Sequence, residues 1–98
     1  MKINITARQF TASDQLKEHT EKSLGKLSKF FDRITEIDVI YAPFEDENKP
    51  QSVELIARVP NDVLVVKEKE ATYEQAIKAA VDVMVRQIKK YKETKLAR

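Results

Sequence analysis

The chain has no cysteine and no tryptophan, one glycine and one histidine among its 98 residues. Without cysteine there can be no disulfides, thiol nucleophiles, cysteine–zinc sites or iron–sulfur clusters. A lone histidine, His19, excludes multi-histidine metal sites, and a Ser-His-Asp triad would need it in a cleft that nothing nearby suggests. A lone glycine, Gly25, excludes the P-loop and the dinucleotide fingerprint, which need two or three. Long apolar runs are also missing. None exceeds four residues, as at 63–66, far short of the ~20 that span a bilayer. The first six residues alternate apolar and polar instead of forming the apolar block of a signal peptide. The expectation is a cytoplasmic protein with no membrane contact, no catalytic residues, no metal and no cofactor. What remains is a binding or structural role.

What is present is charge. There are 18 basic and 16 acidic residues, for a net charge of +2. Residues 1–35 carry +3, residues 36–71 carry −5 and residues 72–98 carry +4. Two basic segments flanking an acidic one suggest a polyanionic partner for the basic parts. With 42% apolar residues and a length near that of one typical domain, ~100–150 residues, a single domain over 1–98 is expected.

Residues 2–8 alternate as a strand, with Ile3, Ile5 and Ala7 on one side. Thr11, followed three residues later by Asp14, predicts a helix start. A helix from about residue 12 to 31 carries Leu16, Leu24, Leu27 and Phe31 on one stripe, with Thr20 filling the missing step. Residues 34–42 and 52–59 alternate as further strands. They are separated by an acidic, proline-bounded loop at 45–50. Pro60-Asn61-Asp62 reads as a hairpin turn into a fourth strand, 63–70, whose facing is ambiguous from its apolar start. Thr72 and Gln75 form a capping box for a second helix, with Tyr73, Ile77, Ala80, Val81, Met84, Ile88 and Tyr91 on one face. It should fray from about residue 94. The fold class is α+β, in the order β-α-β-β-β-α. A four-stranded sheet should carry two roughly parallel amphipathic helices on one face, with the first two strands parallel through a right-handed crossover.

The polar faces of the helices carry the candidate site. With Lys22 at 0°, Lys29, Arg33 and Lys26 fall at about −20°, 20° and 40°, opposite an apolar stripe near 160°. On the second helix, relative to Ile77, Lys78, Lys89, Arg86 and Lys90 fall at about 100°, 120°, 180° and 220°. Cations at a helix C-terminus complement its dipole, which accounts for Lys90 and Lys92 but not for Arg86 in mid-helix. Side by side, the two faces should make one basic surface with a groove suited to a phosphate backbone. The RNA-binding candidates are Lys22, Lys26, Lys29, Arg33, Lys78, Arg86, Lys89, Lys90 and Lys92. Phe30, Phe31, Tyr73 and Tyr91 lie on or beside the apolar stripes and read as core, so the surface suits phosphates and shape more than unpaired bases. His19, at the stripe edge, reads as a partly buried packing residue.

The element order, with Lys26-Leu27-Ser28-Lys29-Phe30-Phe31-Asp32-Arg33-Ile34 and Arg86-Gln87-Ile88-Lys89-Lys90-Tyr91-Lys92 around an acidic middle, resembles the short form of the bacterial ribosome hibernation-promoting factors. These are also described as ribosome-associated translation inhibitors and sigma-54 modulation proteins. The resemblance covers essentially the whole chain. It implies binding to the 30S subunit and the 70S ribosome in stationary phase. The protein would occupy the channel for transfer and messenger RNA, with both basic helices on 16S ribosomal RNA, and would be a monomer off the ribosome. By this resemblance Lys26, Arg86, Lys90 and Lys92 match basic family positions; the other candidates come from the helical geometry. Two departures are Ser23, where a family lysine is common, and Thr72-Tyr73-Glu74 at the start of the second helix. The residues alone also fit a generic double-stranded RNA-binding module or an adaptor for an acidic protein.

Overall fold

A computed structural model describes residues 1–96. The alternating segments become four strands, β1 (Lys2–Ala7), β2 (Glu36–Pro43), β3 (Gln51–Val59) and β4 (Asp62–Glu70). They lie side by side in that order, β1 parallel to β2 and the other neighbours antiparallel. Pairing sets the facing that the apolar start of β4 hid. Ile5, Val39, Leu55 and Val66 are aligned across the sheet, so Leu64 and Val66 turn inward while Val63 and Val65 stay exposed on the opposite face. The β3–β4 hairpin closes through Pro60 and Asn61, with Asn61 at φ 63°. Among non-glycine residues asparagine tolerates this left-handed conformation best.

Helices α1 (Asp14–Phe30) and α2 (Tyr73–Tyr91) close one face of the sheet. Their stripes share a single core with Ile37, Val39, Tyr41, Val53 and Leu55. The start of α1 differs from expectation. Ser13, not Thr11, is the cap, its Oγ accepting the Leu16 N–H at 3.1 Å. A serine three residues before Leu16 satisfies that free donor, and Thr11 lies too early to reach it. The helix ends at Phe30 because Phe31 adopts an extended backbone (φ −151°) and turns back into the core. Arg33 therefore lies in the turn after the helix, and its expected place on the helical strip is not realised. At the other helix Thr72 Oγ1 accepts the Gln75 N–H at 3.1 Å, while the Tyr73 N–H is taken by Gln51 Oε1 of β3 at 2.6 Å. The tail expected to fray continues as a π-helical turn, Lys92–Leu96; residues 97 and 98 lie outside the described residues.

Thr20 is the one polar residue in the core among those described. Its hydroxyl donates to the Leu16 carbonyl at 2.6 Å and so accepts from the Tyr41 hydroxyl, also at 2.6 Å. Burial, reinforced by the Glu74 charge, pushes the Tyr41 phenol up to about 12. Thr20 could help a phenolate only by releasing Leu16. An unfolded tyrosine titrates near pH ~10. Above that the unfolded chain sheds a proton that the folded chain keeps. The Tyr41 contribution is thus complete below pH ~10 and falls as pH rises toward ~12, at up to ~1.4 kcal/mol per unit. Urea unfolding between these limits should show this slope, and Tyr41→Phe should remove it.

Candidate nucleic-acid interface

Both helices follow strands that run the same way, since β1 and β4 are each parallel to β2 in direction. They therefore return side by side and parallel, with their C-terminal ends together. Inward burial at three- and four-residue spacing sends the intervening positions outward. Lys22, Lys26 and Lys29 on α1 reach solvent, as do Lys78, Arg86, Lys89 and Lys90 on α2 and Arg33 in the turn. The structure thus brings eight of the nine candidates onto the solvent side of the molecule.

Lys92 differs. It is half-buried, with its ammonium 5.0 Å from the Phe30 ring centre and 5.7 Å from that of Phe31. Phe31 in turn meets Tyr91 edge-on at 5.9 Å. Lys92 clasps the two helix ends together as well as carrying charge there. Phe31 and Tyr91 are core, as expected; Phe30 and Tyr73 are half-buried, Tyr73 stacking on Phe10 at 4.6 Å.

Between the helices the expected groove contains, among the described residues, only a small notch. The helices touch, and the notch of about 20 Å³ is lined by Ser23, Lys26, Lys78, Val81 and Asp82. Ser23 is short, and its hydroxyl folds back onto the His19 carbonyl at 2.9 Å, which lets the helices close. A phosphate backbone would lie across two adjoining ridges. His19 is half-buried, with its Nε2 enclosed and unpartnered among the described residues.

The ion pairs among the described residues lie off this face, although Lys2 and Arg8 at the ends of β1 have none either. Among the described residues, Lys49, Arg58, Lys67, Lys69 and Lys95 have carboxylate partners, and all but Lys95 belong to the sheet or its loops. No cation of α1 or α2 forms an ion pair in that set. Like charges stacked at helical spacing repel, and Asp82 beside Lys26 and Lys78 only partly offsets them, so the helix face keeps an excess of positive charge.

The acidic loop lies at the other end of the molecule. It follows β2 and sits beside the start of α2, where Lys49 pairs with Glu70 at 3.8 Å and Lys69 with Asp46 at 3.8 Å. Asp46 accepts the backbone N–H groups of Asn48 and Lys49, which hold its carboxyl below the usual range. Lys89, Lys90, Lys92 and Lys95 gather at the opposite end, near the β3–β4 turn, where Tyr91 donates to the Pro60 carbonyl.

Sequence reasoning missed a second concavity. On the open face of the sheet, Arg8, Phe44, Lys49, Glu54, Lys67 and Lys69 border a groove of about 530 Å³. The Lys69 ammonium lies 4.3 Å from the Phe44 ring centre. The alternation of β4 puts Lys67 and Lys69 on one side, but only the strand register brings Arg8 and Phe44 to them.

The structure is thus an α+β domain whose two parallel helices present cations without carboxylate partners among the described residues. Residues 3–95 match the family described as sigma 54 modulation protein / S30EA ribosomal protein, and the chain belongs to it. It is 30% identical, over 98 residues, to the ribosome hibernation promoting factor of Azotobacter vinelandii, a match spanning 100% of this chain and 89% of that one. The crystal structure of the Thermus thermophilus Protein Y N-terminal domain is similar at 25% identity and a TM-score of 0.79, over 93% of this chain and 99% of that one. A ribosomal subunit interface protein from Coxiella burnetii shares the fold at 22% identity and a TM-score of 0.85, over 96% and 100% of the two chains.

Proposed function

We propose that this protein is a cytoplasmic ribosome-binding hibernation factor. A monomer when free, it occupies the transfer and messenger RNA channel of the 30S subunit, within the 70S ribosome, and silences translation reversibly. The observation that carries this reading is that, among the described residues, no cation of α1 or α2 has a carboxylate partner, while Lys49, Arg58, Lys67 and Lys69 of the sheet and its loop do. Membership of a family whose relatives are named ribosome hibernation promoting factors supports the ribosome as the polyanion. The inward aromatics suit 16S ribosomal RNA recognised by phosphate and shape. Silencing then needs occupancy and no catalytic group.

The test is sedimentation with purified 70S ribosomes. The protein should co-sediment at low salt and be released steeply as salt rises. Added initiator transfer RNA and messenger RNA should displace it, and ribosomes washed in high salt should regain full activity. Ribosomes left inactive after stripping would overturn simple occupancy. Equal retention by free duplex RNA would instead make this a generic duplex-binding module.

The acidic loop supplies a further prediction. Glu45 and Glu47 are exposed at the end away from the helix C-termini, so Glu45→Gln with Glu47→Gln should leave ribosome affinity unchanged or slightly raised. A marked loss would place that loop against the partner. Asp46 is excluded from the variant because it holds the turn.

A further inference from the structure

Gly25 is the chain's only glycine and stands inside α1, where glycine is the poorest choice after proline. Glycine is normally required by a positive φ or by a close approach to the backbone. Gly25 has no positive φ, and a Cβ built there meets nothing within 4 Å. The folded chain makes no demand for glycine at this point. An approach from outside would supply a reason.

Its surroundings say what approaches. Residues three and four positions away are neighbours on a helix surface. These are Lys22 and Lys29 on one side, both exposed, and Glu21 and Ser28 on the other. The Ser28 hydroxyl bonds the Gly25 carbonyl at 3.1 Å, so it lies against the helix and leaves the gap clear. Helical side chains lean toward the N-terminus, which brings Lys29 over the level of Gly25. The position is half-buried but open at its Cβ, with two cations on one flank and Glu21 repelling an anion from the other.

We propose that Gly25 is the contact notch for one sugar-phosphate strand of the bound RNA. Lys22 and Lys29 hold phosphate oxygens, and a ribose packs on the half-buried backbone beside them. This rests on the reading of the helix faces as RNA-binding and specifies where a strand crosses α1.

Gly25→Ala and Gly25→Gln test it, because both residues form helix better than glycine and neither meets a neighbour at its Cβ. Tm should rise in both, by about 4–8 °C for alanine. Affinity for purified 30S subunits should fall, by about tenfold for glutamine and less for alanine. Lys26→Glu with Arg86→Glu is measured in parallel. A higher Tm with unchanged affinity, while the charge reversal abolishes binding, would overturn the notch and leave the helix-face reading standing. A charge reversal without effect would remove that reading, and the notch with it. A lower Tm in both glycine variants would show that the space is not free and would also overturn the proposal.

Discussion

Exchanging Arg86 and Lys90 for glutamate together should weaken binding to 70S ribosomes by about two orders of magnitude at low salt. Both side chains reach solvent, on the side of α2 away from Ile77, Met84 and Ile88. Neither has a carboxylate partner among the described residues, so reversal breaks no internal pair. It places two negative charges where phosphates are expected and removes two cations that would release counterions on binding. The log–log dependence of affinity on salt should become shallower by about one for each phosphate no longer neutralised. Far-ultraviolet circular dichroism and Tm should stay close to those of the parent. A double variant that sediments with ribosomes as well as the parent would remove α2 from the interface.

The second large effect is on stability. Leu27 and Ile77 are fully buried, one on the inner face of each helix. Leu27→Ala and Ile77→Ala should each destabilise by about 2–5 kcal/mol, from the forfeited transfer energy plus the cavity left behind. Against a total stability of about 5–15 kcal/mol, either change is a large share. Lys29→Glu, two residues from Leu27 but facing solvent, should shift stability by less than about 0.5 kcal/mol. Urea midpoints decide between them. Unfolding by Lys29→Glu would show that the outer face of α1 packs on something.

The fold was legible because each element carries its own period. Ile37, Val39 and Tyr41 against Glu36, Asp38 and Ile40 reveal β2, and the stripe from Ile77 to Tyr91 reveals α2. The outward cations followed from the same period, which is why Lys26, Lys29, Arg86 and Lys90 fall where expected. Helix ends were harder. Helical spacing continues on paper past Phe30, but whether Phe31 points along the helix or into the core is decided by tertiary packing, and Arg33 moves with that choice. The closed interhelical groove was beyond reach, since interaxial distance depends on which small side chains meet, here Ser23. The fate of Lys92 was hidden for a similar reason, because its aromatic seat lies on the other helix.

That seat bears on how the protein lets go. Lys92 joins the last turn of α2 to Phe30 and Phe31, and both helices share one core with the sheet. Neither row of cations can therefore peel away while the other holds, as two flexible arms would. If the proposed RNA contact holds, detachment should occur in one step, with the whole basic face leaving together. Residence time should then depend steeply on ionic strength, with a single exponential phase and no partly bound species. On that reading, a competitor for the same RNA would have to displace the whole body at once and could not lift one helix first.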